Sequence, residues 1–149
     1  MNILYTGPNK KPDKEASLGA TYVSLDEMLE QADFIIINAA YSEQLHHLFN
    51  KDAFEKMKET AYIINASRGP IVDEKALVEA LKEKEIEGAA LDVFEFEPKI
   101  TDELKTMDNV VLTPHIGNAT FEARDEMARI VANNTIKKLQ GEQPDFVVN

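Results

Sequence analysis

Three kinds of side chain that can bind and protonate a small anion follow three apolar segments of this chain. Arg68 stands in "INASRGPIVDEKAL", the carboxylates Asp92, Glu95 and Glu97 stand in "GAALDVFEFEP", and His115 stands in "LTPHIGNAT". Arginine offers a planar fork of donors that pairs with a carboxylate through two hydrogen bonds and can polarise a neighbouring carbonyl. Histidine titrates near neutrality, and a carboxylate against its second ring nitrogen fixes the tautomer and favours the protonated form. A His–Glu pair is thus an acid/base unit, while Asp92, nearest its apolar segment, is better placed to orient a ligand than to shuttle protons. Taken singly, each has an ordinary alternative. Arg68-Gly69 is also a common way to enter a helix, Glu95 and Glu97 also suit a solvated acidic loop, and His115 after Thr113-Pro114 also suits a helix cap. His46 and His47 in "EQLHHLFN" read as structural or exposed, because neighbours on a helix diverge and no third ligand is at hand, so no metal site is expected.

The elements that must position these groups alternate between short apolar strands and amphipathic helices. "NILYT", "DFIIIN", "AYIIN", "EGAALDV" and "NVVLTP" read as strands. Helices are predicted at "SLDEMLEQ", where Ser24 and Glu27 have capping-box spacing, at "NKDAFEKMK" behind Asn50, and at "VDEKALVEALKEKE" behind Asp73. A long amphipathic helix is predicted over "ATFEARDEMARIVANNTIKKLQ" on Met127, Ile130, Val131 and Ile136, ended by Gly141. "DFIIIN" is apolar on both faces, as a parallel strand covered by helices on each side must be. Such alternation implies an α/β fold with a mostly parallel sheet and right-handed crossovers. The strands' C-terminal ends then share one edge, where open α/β sheets bind ligands, so Arg68, the carboxylates and His115 are brought together there.

Composition bounds the rest. A chain of 149 residues suits one domain, and 44% apolar with 29% charged residues argues against disorder. A formal net charge of −11 disfavours nonspecific binding to nucleic acid or anionic membrane. The chain holds no cysteine and begins "MNILYTGP" without a basic segment followed by an apolar one. Both fit a cytoplasmic protein.

The three quoted motifs, in this order and spacing, closely resemble the cofactor-binding domain of the D-isomer-specific 2-hydroxyacid dehydrogenases, with a flavour of the glyoxylate/hydroxypyruvate reductase branch, from Ile3 onwards. The resemblance implies a Rossmann-like doubly wound sheet and hydride transfer between a nicotinamide cofactor and a small 2-oxo or 2-hydroxy acid. By the same resemblance Arg68 holds the substrate's carboxylate and polarises its ketone, His115 is the general acid/base, and Glu97 is its partner. Asp92 is similar to the residue that bonds the nicotinamide carboxamide, Asn38, Ala39, Ala40, Asn65, Ala66 and Ser67 line the cofactor cleft, and Gly117 and Thr6 belong to the cofactor-binding set. Members that prefer NAD usually end the second strand in an aspartate that accepts from the ribose 2′-hydroxyl. "LYTGPNKKP" has Thr6-Gly7 there, with Lys10 and Lys11 behind, so NAD(P)H is expected as cofactor with a lean towards NADP(H).

The family's G-x-G-x-x-G loop is not in this sequence. The expected architecture is therefore a truncated sheet: residues 1–149 form a partial NAD(P)-binding domain without its first strand and glycine-rich loop. Residues 119–149 are expected to form a C-terminal helix and tail that contact a substrate domain lying outside this sequence. In the doubly wound order the missing strand is central, so its loss should expose apolar edges, favour a homodimer or higher assembly, and allow "NILYT" to pair beside "DFIIIN". Two other functions fit less well: a noncatalytic dinucleotide-binding or oligomerisation module, and a receiver-like signalling domain, which lacks the expected acidic cluster after the first strand.

Overall fold

In the computed structural model, which describes residues 1–147, the chain divides into two units, residues 1–115 and 116–149. The first unit carries all the strands. β1 (Ile3–Tyr5), α1 (Pro12–Leu18) and β2 (Ala20–Tyr22) form a two-stranded parallel sheet. α2 (Leu25–Gln31) leads into a four-stranded parallel sheet of β3 (Phe34–Ile37), β4 (Tyr62–Asn65), β5 (Gly88–Leu91) and β6 (Val110–Leu112), ordered β3-β4-β5-β6. α3 (Lys51–Glu55) and α4 (Glu74–Glu83) lie along the chain between these strands. The neighbour pairs β2-β1 and β3-β4-β5-β6 are those that flank the first strand of a doubly wound sheet.

The capping signals act as read. Ser24 and Glu27 bond reciprocally, Asn50 caps α3, and the Asp73 side chain accepts from Lys75 and Ala76 at the start of α4. Helix α4 stops at Lys84, which takes the left-handed conformation at φ 60°. Two elements escaped the sequence reading. α1 has proline at its first position and Gly19 at its end with φ 63°, the pattern of a short helix. β2 is three residues long, too short to show a period. Its presence overturns the expected pairing of "NILYT" with "DFIIIN": Ile3 pairs with Ala20, Leu4 with Thr21 and Tyr5 with Tyr22. β2 follows β1 after a single helical crossover, so it reaches β1's edge at small loop-closure cost.

Register decides which face of the larger sheet is core. Ile35 and Ile37 align with Ile63 and Asn65, and these with Ala89 and Leu91. The apolar members of this row are buried in one cluster with Leu29 of α2, Ala53 and Phe54 of α3, and Ala76, Leu77, Val78, Ala80 and Leu81 of α4. The alternate row faces the other way. Phe34 and Ile36 are 65% and 61% exposed, Tyr62 stacks on Phe34 at 5.4 Å, and Val111 is exposed. The expectation that helices cover both faces of "DFIIIN" is thus corrected: within this unit only the Ile35–Ile37 face is covered.

The second unit is α5 (Phe121–Leu139) with the segments around it. Thr120, not His115, is its N-cap, accepting from Ala123. Gly141, with φ 78°, follows its end. None of the helix is buried, and Met127, Val131 and Ile136 are at least half exposed, so the apolar stripe read from sequence has no partner within its own unit.

Leu77, fully buried on α4, is a direct probe of this core. Leu77→Ala should lower stability by about 2–5 kcal/mol, the range for deleting a buried leucine side chain. Urea unfolding followed by circular dichroism measures it, and a loss under about 1 kcal/mol would mean that the α4 face is not packed as described.

Candidate functional site

At the end of β4 the chain turns on one amide side chain. Asn65 is 1% exposed; its Oδ1 accepts from Ser67 N–H at 3.0 Å and its Nδ2 donates to Arg68 O at 3.0 Å. A buried asparagine is satisfied here by closing the very turn that presents Arg68. The Ser67 hydroxyl donates to Ala39 O, tying the end of β4 to the segment after β3. Asn38, Ala39, Ala40, Tyr41, Ala66, Ser67 and Arg68 line a cleft at these two strand ends. Asn65 lies beneath that cleft rather than in its wall. The Arg68 guanidinium is exposed, with Nη1 donating to Ser67 O at 2.7 Å.

The next residue explains why Arg68 is followed by glycine. A Cβ at Gly69 would come within 1.9 Å of Phe94 O. The turn Gly69–Ile71 therefore packs backbone to backbone against the segment after β5, which only glycine permits.

After β5, Asp92 N–H donates to Asn65 O at 2.9 Å, and its Oδ1 accepts from the Thr113 hydroxyl at 2.5 Å. Asp92 thereby ties β5 to both neighbouring strands. Beyond Asp92, the carboxylates of Glu95 and Glu97 diverge. Glu97 Oε1 accepts from Phe94 N–H at 3.0 Å, and its Oε2 lies 3.0 Å from His115 Nδ1. His115 follows β6 through a three-residue turn, its N–H donating to Thr113 O at 3.0 Å, and takes φ 53°. With Nδ1–H directed at the carboxylate, Nε2 is the nitrogen left to exchange a proton. The His115 contact and the Phe94 N–H, with the charges of His115 and Arg68 adding to them, hold the Glu97 carboxyl below its ordinary value against the opposing effect of burial. A positive guanidinium, an imidazole and an ionised carboxylate thus share this edge, as the sequence indicated.

Glu95 turns away from that group. Its Oε1 is 2.7 Å from His47 Nε2, and its Oε2 accepts from Glu74 N–H at 3.2 Å. The solvated-loop alternative fails for Glu95, whose side chain is 10% exposed. His46 and His47 do not diverge, because the helical turn Glu43–Leu45 has already ended; their rings stack at 3.9 Å. Among the described residues no group of three His, Cys, Asp or Glu is arranged to hold a metal ion. Thr6 follows β1 on the two-stranded sheet, and Gly117 lies in the second unit. Sequence reasoning missed Tyr41 in the cleft wall, for which no pattern signalled, and Thr113, which a threonine before Pro-His at a strand end could have suggested.

The Glu97 carboxyl titrates lower in the folded chain than in the unfolded one. Its contribution to stability is therefore fully present above the usual glutamate value, about 4.3, and is lost as pH falls through the lowered value. With side chains 50% and 37% exposed, the His115–Glu97 pair is worth under about 1 kcal/mol. Glu97→Gln should cost that small amount at neutral pH, and in urea melts the gap should close as pH drops below about 4. A gap that stays constant with pH would show that Glu97 contributes nothing through its charge.

Comparison with known proteins places these residues in a family. The model of the D-isomer specific 2-hydroxyacid dehydrogenase NAD binding domain matches residues 1–117. A Staphylococcus saprophyticus protein named as a candidate 2-hydroxyacid dehydrogenase is 70% identical over all 149 residues, which cover 47% of its length. A glyoxylate reductase from Paecilomyes thermophila superposes with a TM-score of 0.85 at 39% identity, over 96% of this chain and 44% of that one. The D-lactate dehydrogenase of Lactobacillus jensenii, solved with NAD+, gives a TM-score of 0.85 at 32% identity, over 99% and 48%. The chain therefore spans about half the length of the relatives it matches. Because the matched region takes in every strand of the fold together with Arg68, Glu97 and His115, this chain belongs to the D-isomer specific 2-hydroxyacid dehydrogenase family, NAD-binding domain.

Proposed function

We propose that this chain carries the acid/base and anion-binding half of a dehydrogenase site that interconverts a small 2-oxo acid, of the glyoxylate or hydroxypyruvate type, and its 2-hydroxy acid. The carrying observation is His115 Nδ1 held 3.0 Å from a Glu97 carboxylate that also feels the charge of Arg68. In this reading Arg68 receives the substrate carboxylate and draws electron density from the adjacent ketone. His115 Nε2 delivers a proton to the ketone oxygen, and Glu97 stabilises the imidazolium that is its source. In the opposite direction the same nitrogen removes the hydroxyl proton. A bound nicotinamide cofactor supplies or accepts the hydride. The residues present fit its nicotinamide end: Ala39, Ala40 and Ala66 leave room in the cleft wall, where Asn38 and Ser67 are polar groups, and Asp92 follows the end of β5. Gly117 and Thr6 complete the proposed cofactor set.

NADP(H) is the proposed preference. Thr6 and Gly7 follow β1 where an acid would repel a 2′-phosphate, and Lys10 Nζ is held 5.1 Å from the centre of the Tyr22 ring on the adjacent strand. The open face of Phe34, Ile36, Tyr62 and Val111 supports self-association as a homodimer or larger assembly. Residues 119–149 are proposed to contact a substrate domain. The acidic charge disfavours nucleic acid and membrane as partners, no helix among the described residues is long and apolar enough to cross a membrane, and the cysteine-free composition suits the cytoplasm.

Fluorescence titration of the purified chain with NADPH and with NADH tests the cofactor reading. Saturable binding, tighter for NADPH and weakened by Lys10→Ala, is expected; equal or tighter NADH binding overturns the preference. Binding of neither favours the noncatalytic module, since the chain has no G-x-G-x-x-G loop to hold a pyrophosphate. Sedimentation velocity should show a dimer or larger species, and a monodisperse monomer would overturn the assembly.

A further inference from the structure

The first turn of α4 holds a second carboxylate–imidazole cluster that the acid/base pair does not use. Glu74, at 2% exposure, is the first residue of that helix. Its Oε1 accepts from Glu95 N–H at 2.6 Å, and its Oε2 accepts from the Thr101 hydroxyl. Its own N–H donates back to Glu95 Oε2 at 3.2 Å, so the two glutamates grip one another reciprocally. His47 Nε2 meets Glu95 Oε1 at 2.7 Å, and its Nδ1 lies 3.8 Å from Asp73 Oδ2. Buried carboxylates are costly unless neutralised and fully hydrogen-bonded, and here backbone donors, a hydroxyl and an imidazole supply that compensation.

What this cluster grips is the peptide between Phe94 and Glu95. Phe94 N–H is the donor that orients Glu97 Oε1, Phe94 O packs against Gly69, and the next N–H, that of Glu95, donates to Glu74 Oε1. Three consecutive backbone groups are thereby committed to three partners, and the position of Glu97 follows from them. The same cluster reaches the arginine turn, because His47 N–H donates to Pro70 O at 2.9 Å. We infer that Glu74, with His47 and Glu95, is a positioning network that aims Glu97 at His115 by fixing the Phe94–Glu95 peptide. Its importance for turnover rests on the acid/base role proposed for that pair, but its effect on the geometry does not.

The test reads the carboxyl titration of Glu97 by 13C NMR in the 149-residue chain, assigned with Glu97→Gln. Groups facing Glu97 are His115, the Phe94 N–H and Arg68, and all three remain in every variant compared. Glu74→Ala should shift the Glu97 midpoint upward, towards the ordinary carboxylate range, as the Phe94 N–H and His115 contacts loosen. Glu74→Gln should restore the parent midpoint, because its amide oxygen can still accept from Glu95 N–H and its amide nitrogen can donate to the Thr101 oxygen. A core packing role alone would not move this readout. An unshifted midpoint in folded Glu74→Ala would overturn the inference. Should that variant not fold, His47→Asn, which tolerates the φ of 51° at this position, carries the same test: an upward shift supports the network, and an unshifted midpoint overturns it. The titration is readable whether or not the chain binds cofactor, so failure of the dehydrogenase reading leaves this result intact.

Discussion

Everything at the candidate site depends on β3 to β6 running in one direction. Parallel pairing obliges each strand to be followed by a crossover, and each crossover begins at the same edge. Asn38, Arg68, Asp92 and His115 are far apart in sequence, yet each stands within a few residues of the end of one of these strands. The ladder is also what makes the edge stiff. Asp92 N–H bonds Asn65 O and Thr113 N–H bonds Leu91 O, so the hydrogen bonding of the sheet continues past the last paired residues into the loops that carry the candidate site.

Within those loops the ordering is done by polar side chains, buried at Asn65 and Glu74, rather than by apolar packing. Asn65 closes the arginine turn, Glu97 closes the turn from Phe94, and Glu74 with Glu95 ties the same segment to the start of α4. Such groups earn their burial only when every donor and acceptor is matched, and no side-chain nitrogen or oxygen among the described residues is buried without a partner. Arg68, Glu97 and His115 are the exposed members, which suits the proposed contact with a ligand. Rigid support below and accessible charge above is the division a binding edge requires.

The sheet is asymmetric in its cover. One face of β3 to β6 is packed against α2, α3 and α4, and the opposite face presents Phe34, Ile36 and Val111 to solvent. β1 is paired only to β2, leaving the two sheets separate. An apolar face with unpaired strand edges is a surface on which further protein packs readily. That is consistent with relatives in which this region is about half of the chain.

By itself the sequence determined the alternation of strand and helix, the caps at Ser24, Asn50 and Asp73, and the conjunction of Arg68, the carboxylates after β5 and His115, because periodicity, capping chemistry and order along the chain are local properties. It could not show α1 with β2 as the partner of β1, since a three-residue strand carries no period and pairing is decided by which edge lies nearest. Nor could its local pattern separate Glu95 from Glu97, of which the family resemblance alone singled out Glu97. Two residues apart in "FEFEP", they are the same residue type in the same loop, and only tertiary structure sends one to His47 and the other to His115. His47 itself read, with His46, only as structural or exposed, because its partners Glu95 and Asp73 are brought to it by the packing of the segment after β5 against the start of α4. Contact between groups distant in sequence is set by the path of the backbone, which no local pattern encodes.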